Sequence, residues 1–348
     1  MASPPPAPNP RSWATHWDAG DPARADAFIE FGPVEVTAAL RSVGFEPTTV
    51  PEQLRSDENR VFRVEFADGP VAVKVFRYAR LTPEALDEQL EMLDRLQAAG
   101  VGVAAGLRLP GGERLGIFEG QLFACFEWYG DEAEEGPTHE DAADFFGLGI
   151  DIARMHEVGV THPPERQLTY TPQTWGRAAL DSLISAEAIH PQYREPFVAR
   201  AEETLERAAA CWPSTTPQFI HSDLGEWNVV WRPDGSAVLI DFEDLGLGVP
   251  WQDIYLLPHS LANNGVCDGA TAERMGERLR AGYTSVRPLP EGSAELGALI
   301  EGIRGLYIDA WIAARRYDRH FSLRRMSFHT KAYWAARLER LERYLSIR

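Results

Sequence analysis

Three oxygen-bearing side chains stand at a spacing that suits phosphoryl transfer. They lie in the segment Phe219-Ile-His-Ser-Asp-Leu-Gly-Glu-Trp-Asn-Val-Val-Trp-Arg-Pro-Asp-Gly-Ser-Ala-Val-Leu-Ile-Asp241. Asp234-Gly235 reads as a two-residue turn between apolar runs, so a hairpin here pairs Trp231 with Val238 and Asn228 with Asp241. Directly opposed Cβ atoms sit about 4.5–5.5 Å apart. An amide oxygen and a carboxylate side by side suit a hard cation such as Mg²⁺, with phosphate oxygens and water completing its shell. Asp223 enters the same end of the hairpin, placed to orient a substrate hydroxyl and accept its proton.

A fourth group is cationic. Of 34 basic residues only Lys74 and Lys331 are lysines. Lys74 lies in an alternating strand pattern, where a compact ammonium has a different use from a guanidinium. The order Asp-x₄-Asn, then a strand-ending Asp, matches the catalytic and metal-binding parts of kinases. On that reading Lys74 holds the α- and β-phosphates of ATP. The helix at 83–98 should then supply a carboxylate to orient it: Glu88, at the edge of the stripe Leu86, Leu90 and Leu93, with Glu91 as the alternative. His221 and His156 read as structural. No Gly-x-x-x-x-Gly-Lys-Ser/Thr loop and no Gly-x-Gly-x-x-Gly is present. The loop Ser56-Asp-Glu-Asn59 can cover phosphate with a small hydroxyl and backbone N–H groups instead.

These residues need a frame, and the patterning predicts an α+β fold in two lobes. Arg60–Phe66 and Val71–Phe76 alternate as strands around Asp68-Gly69, and two more strands follow near 114–118 and 121–128. Thr82-Pro83 opens the intervening helix as N-cap and first residue. The result is a small, antiparallel, five-stranded N-lobe over 28–128. Helices are expected at about 33–43, 139–157, 173–187, 191–211, 270–284, 292–317 and 328–346, so 129–348 reads as a helical C-lobe. Residues 1–27, rich in Pro, Ala and Asp, read as a flexible arm.

Composition narrows the class. A net charge of −18 repels phosphate backbones and argues against nucleic acid as partner. No apolar run reaches membrane-spanning length, and the first residues lack a secretory pattern. Cys125, Cys211 and Cys267 are too sparse for a metal site or a disulfide framework, which suits free, buried thiols in a reducing cytoplasm. The expectation is a cytoplasmic monomer.

The pattern Ser56-x-Glu-Asn-Arg-Val-Phe62, Val-Lys74-Val-Phe, Arg154-Met-His156-x-x-Gly159, His221-x-Asp223 to Asn228, and Asp241-x-x-Asp244 to Gln252-Asp253 resembles the aminoglycoside phosphotransferase and choline kinase superfamily. Within it the likeness is strongest to the bacterial stress response kinase A group of serine/threonine protein kinases, on Ser56-x-Glu-Asn-Arg-Val and the C-terminal helices. The resemblance implies a protein-kinase-like fold and an ATP- and Mg²⁺-dependent phosphotransferase. It implies Asp223 as proton acceptor, and Asn228 and Asp241 on Mg²⁺. Ser56 and Lys74 would contact ATP, and Glu127 to Tyr129 would form the hinge beside adenine. The loop departs from the superfamily at Gly225 and Trp227, which bears on the acceptor. A protein serine or threonine is expected, held by Tyr307, Trp311, Arg315, Arg316 and Trp334 of the late helices. The alternative is a small-molecule hydroxyl on an aminoglycoside, amino alcohol or sugar, drawn by the acidic loop Asp131–Glu135.

Overall fold

Alternation of apolar residues gives the first sheet its two faces. The computed structural model describes residues 31–78, 80–130, 143–290, 292–316 and 327–347. The proposed arm over 1–27 and the acidic loop at 131–135 lie outside them. Helix α1 (Pro33–Ser42) precedes β1 (Glu52–Leu54), β2 (Arg60–Phe66) and β3 (Gly69–Val75). After α2 (Pro83–Ala98) come β4 (Gly106–Leu107), β5 (Gly116–Phe118) and β6 (Gln121–Glu127). The antiparallel order is β1-β2-β3-β6-β4, with β5 also on β6. The sheet thus has six strands rather than five; β1 and β4 are too short to show alternation. Phe62, Val64, Val73, Val75, Phe123 and Cys125 bury one face. The opposite face carries Lys74, whose backbone pairs with Val61 and Ala124.

Helix α2 begins as its sequence predicts. The Thr82 hydroxyl accepts from the Ala85 N–H at 3.1 Å, and Pro83 follows. The helix buries Leu86, Leu90, Leu93 and Leu96 together with Gln89.

The C-lobe comprises α3 (Ala143–Thr161), α4 (Ala178–Ser185), α5 (Arg194–Cys211), α6 (Trp251–Asn263), α7 (Gly269–Val286), α8 (Ala294–Arg315) and α9 (Lys331–Ser346). Helices α3 and α7 approach closely through glycine. A Cβ on Gly149 would lie 2.1 Å from the Leu279 carbonyl oxygen, and one on Gly282 would lie 2.0 Å from that of Phe146. Helix α6 is absent from the sequence expectation. Gln252, Asp253, Ile254, Leu256, Leu257 and Leu261 are all buried, and Pro258 sits inside the helix. A helix buried on all sides has no polar face to mark its period.

The hairpin of β9 (Val229–Trp231) and β10 (Ala237–Leu239) forms one residue out of the expected register. Trp231 pairs with Ala237, and Val229 with Leu239. The turn is a three-residue loop: the Gly235 N–H donates to the Arg232 carbonyl at 2.9 Å, and Gly235 takes φ 79°. Pro233 fits the first central position of such a turn and Gly235 its left-handed exit. Asn228 therefore lies across from Ile240, whose N–H donates to the Asn228 carbonyl at 3.0 Å. Asp241 is the next residue, turned out of the strand at φ 62°. Strands β7 (Leu168–Thr169), β8 (Gln218–Ile220) and β11 (Gly246–Gly248) form a further sheet in the order β7-β11-β8. Its strands are too short to read from sequence.

Of the surface expected on the late helices, Trp334 and Arg315 are interior and Tyr307, Trp311 and Arg316 are half-buried. Trp334 is buried against Phe197 and Phe328, with ring centroids 5.0 and 5.3 Å away. Arg315 is buried as well, and Trp311 donates from Nε1 to Glu58 at 2.6 Å. The cysteines are unbonded to one another; Cys125 is buried, while Cys211 and Cys267 are half-buried.

Candidate active site

A cavity of about 310 Å³ lies between the N-lobe sheet, α2 and the end of the β9–β10 hairpin. Val61, Ala72, Leu86, Leu90 and Phe126 form apolar walls, and Glu127 to Gly130 form one edge. Lys74, Asp241 and Glu243 make its polar end. This combination suits a flat heteroaromatic ring at one end and phosphate groups at the other. Tyr129 closes the hinge edge through its hydroxyl, which donates to Glu127 Oε2 at 2.6 Å.

Lys74 is held by two acids. Its Nζ lies 2.8 Å from Asp241 Oδ1 and 2.5 Å from Glu243 Oε1. Burial works against its charge, but these carboxylates outweigh it and hold the ammonium well above its ordinary range. Asp241 in turn is kept below the usual carboxylate range: burial would raise it, and Lys74, Arg80 and His221 overcome that. The carboxylate that orients Lys74 is therefore Glu243, directly after Asp241-Phe242, and not Glu88. Glu88 instead accepts from the backbone N–H groups of Glu165 and Arg166, at 2.8 and 3.0 Å, and from Gln167 Nε2 at 2.9 Å. Glu91 pairs with Arg95. The polar α2 residue that faces this site is Gln89, which donates to the Glu243 carbonyl at 3.1 Å.

Asp223 is fixed at both oxygens. Arg304 Nη2 donates to Oδ1 at 2.7 Å, and Asn228 Nδ2 donates to Oδ2 at 3.0 Å. The surrounding loop is tied from below by Asp253, whose two oxygens accept the N–H groups of His221 and Ser222, each at 2.8 Å. His156 donates from Nε2 to the same Asp253 at 3.0 Å and accepts the Tyr283 hydroxyl at 2.9 Å. Burial lowers its pKa against the opposing pull of Asp253. His221 donates to the Ile240 carbonyl at 2.9 Å, joining the Asp223 loop to the strand that ends at Asp241. His221 thus holds backbone directly, and His156 holds the Asp253 carboxylate that does so, as their sequence setting suggests.

Ser56 lies in the β1–β2 loop, where its hydroxyl receives the Asn59 N–H at 3.4 Å. That loop is anchored rather than free. Asn59 donates to Glu243 Oε1 at 2.5 Å. Glu58 receives Arg315 at 2.5 and 2.8 Å and pairs with Arg77 and Arg80 at 3.0 and 3.4 Å. Burial pushes its carboxyl up, but Arg315, Arg80 and Arg77 hold it well below the ordinary range. Sequence reasoning missed Glu58, Arg80, Glu243 and Arg304. Charges set in apolar stretches were the available signal, above all Glu301, Arg304, Asp309 and Arg315 within α8.

The donor set fits a divalent cation. Asn228 spends its amide nitrogen on Asp223, which leaves its oxygen as a ligand, and the Asp241 side chain keeps 47% exposure beside Lys74. Among the described residues no group of three or more His, Cys, Asp and Glu side chains forms a self-contained metal site. A cation here would therefore rely on phosphate oxygens and water for the rest of its shell. Asp241→Asn is expected to weaken Mg²⁺-dependent ATP binding more than metal-free nucleotide binding. Calorimetric titration with and without Mg²⁺ checks this; equal losses would make Asp241 purely a partner of Lys74.

The family model described as "Phosphotransferase enzyme family" matches residues 52–289. The homoserine kinase of Brucella melitensis is 30% identical over 296 residues, covering 84% of this chain and 86% of that protein. The homoserine kinase of Acidiphilium cryptum is 26% identical over 265 residues, covering 75% and 78%. A solved amicoumacin kinase, in complex with AMP-PNP, Ca²⁺ and Ami, superposes with a TM-score of 0.70 at 16% identity, covering 89% of this chain and 92% of that one. A microcompartment-associated aminopropanol kinase gives 0.67 at 21% identity, covering 89% and 98%. At these identities the structural likenesses show the fold: a two-lobed α+β kinase-like architecture. The relatives named here are homoserine kinases rather than stress response kinases, so the broad resemblance stands and the narrower one gains no support. No described helix is long and apolar enough to cross a membrane.

Proposed function

Because the chain belongs to the phosphotransferase enzyme family, we propose that it is an ATP- and Mg²⁺-dependent kinase of a small hydroxyl-bearing amine, with L-homoserine the first substrate to test. The observation that carries this reading is Asp223, half-exposed and clamped by Arg304 and by Asn228, whose backbone pairs with Ile240 one residue before Asp241. Each carboxylate oxygen takes one protein donor and keeps a lone pair for a substrate hydroxyl. The hydroxyl oxygen attacks the γ-phosphorus, the bond to the β–γ bridging oxygen breaks, and ADP leaves. The hydroxyl proton passes to Asp223. Lys74 balances phosphate charge, held in line by Glu243. A divalent cation at Asp241 and Asn228 would neutralise charge on the phosphate oxygens.

The burial of Trp334 and Arg315 removes much of the surface on which a polypeptide acceptor was expected to rest. The names of the relatives point the same way. Mass spectrometry after incubation with Mg·ATP separates the two readings. A phosphorylated small acceptor with an unmodified protein is expected. Phosphoserine or phosphothreonine on the protein, without small-molecule turnover, would restore the protein-kinase reading.

A further inference from the structure

On the α6-facing side of α8, Glu301 and Arg304 lie one turn apart, in a stretch that is otherwise largely apolar. Arg304 touches the proposed base through Nη2 alone. Its remaining nitrogens have no partner among the described residues, and the side chain keeps 21% exposure. Glu301 is only 7% exposed, yet its Oε1 is buried with no hydrogen-bond partner among the described residues. Its other oxygen accepts only a long bond from the Tyr344 hydroxyl, 3.4 Å. No ion pair within 4.0 Å joins Glu301 to Arg304, although residues three apart on a helix have Cβ atoms only about 5–6 Å apart. The two charges therefore stand apart, with an acceptor and a set of donors unused. Burial also pushes the Glu301 carboxyl above its ordinary range, against the opposing pull of Arg304, Arg340 and Arg337. A buried acceptor left open costs free energy unless something fills it. Gly225, in the loop between Asp223 and Asn228, borders this region: a Cβ there would meet the Ser260 hydroxyl and Arg304 Nη2 at the ordinary contact distances of 3.7 and 3.9 Å.

We infer that Glu301 and Arg304 form a zwitterion clamp, Glu301 taking the ammonium and the free edge of Arg304 the carboxylate of a hydroxylated α-amino acid whose hydroxyl meets Asp223. This rests on the small-molecule kinase reading and narrows it from amines in general to amino acids. Three probes dissect it: L-homoserine with both charges, 3-aminopropan-1-ol with the ammonium alone, and 4-hydroxybutanoate with the carboxylate alone. ADP release by the full chain with Mg·ATP is expected to give L-homoserine a kcat/KM about 10–100-fold above either half-analogue, the usual effect of one charge-assisted hydrogen bond. Glu301→Gln should raise the KM for L-homoserine and 3-aminopropan-1-ol by about 10-fold or more. It should leave the KM for ATP and the kcat/KM for 4-hydroxybutanoate unchanged. An equal loss on all three probes would make Glu301 structural and overturn the clamp. So would a wild type that prefers 3-aminopropan-1-ol to L-homoserine, an outcome that leaves the small-molecule kinase reading intact and also decides the matter if the variant fails to fold. Turnover of none of these probes, nor of a wider panel of small alcohols, would remove the kinase reading and the clamp together.

Discussion

Asp223→Ala is expected to lower phosphoryl transfer by about 10²–10⁴-fold, the range for loss of a positioned general base, while nucleotide affinity stays near that of the wild type. Asp223 lies outside the lining of the nucleotide-sized cavity, which ends at Lys74, Asp241 and Glu243. Its removal deletes the acceptor of the hydroxyl proton and frees Arg304 and Asn228 from their shared partner. Asp223→Asn is the sharper control. It can still accept from Arg304 but cannot take a proton, so a comparable loss would assign the effect to proton transfer rather than to collapse of the clamp. Turnover above about a tenth of wild type in both variants would contradict the assigned role.

Glu58→Gln is expected to destabilise the fold by about 3–5 kcal/mol, the usual result of leaving a buried charge unpaired. Three arginines converge on this carboxylate from two directions: Arg77 and Arg80 from beside β3, and Arg315 from the end of α8. Arg80 retains Glu243 and Asp244, whereas Arg315 is buried and keeps no other carboxylate among its described ion pairs. The cost therefore falls mainly on Arg315, and replacing it as well, in Glu58→Gln/Arg315→Met, should recover most of the loss. Thermal unfolding should show a drop of roughly 4–7 °C for the single variant. A drop of under about 2 °C would mean that the cluster contributes little. The same variant releases the β1–β2 loop from α8, so the KM for ATP should rise.

The positions that bear the proposed chemistry were legible from sequence because they sit on short-range patterns. Asp223, Asn228 and Asp241 belong to one loop and hairpin, and Lys74 to one alternating strand. Most of what failed depended on distant parts of the chain. The helical pattern of α2 points to Glu88 as the partner of Lys74, but that partner is Glu243, 169 positions along the chain and beside Asp241. Glu88 faces the segment that leads to β7, a contact no helical period announces. Register failed for a local reason: Pro233 turns Asp234-Gly235 into part of a three-residue loop, shifting every pair by one. Trp334 and Arg315 look like surface recognition residues by type, but Trp334 fills the core between α5 and α9, and Arg315 pairs with a buried acid. Helix α6 escaped because burial on every side erased the amphipathic signal, although its Asp253 supports the whole Asp223 loop.

On the proposed function a small alcohol, not a protein, receives the phosphate beside Asp223. Phosphorus NMR of one reaction containing the full chain, Mg·ATP and L-homoserine reads this directly. The expected result is a new phosphomonoester signal that grows in step with ADP, depends on the added alcohol and is absent with Asp223→Ala. ADP that accumulates equally with and without any small alcohol, while phosphate appears on the protein or as free orthophosphate, would contradict it.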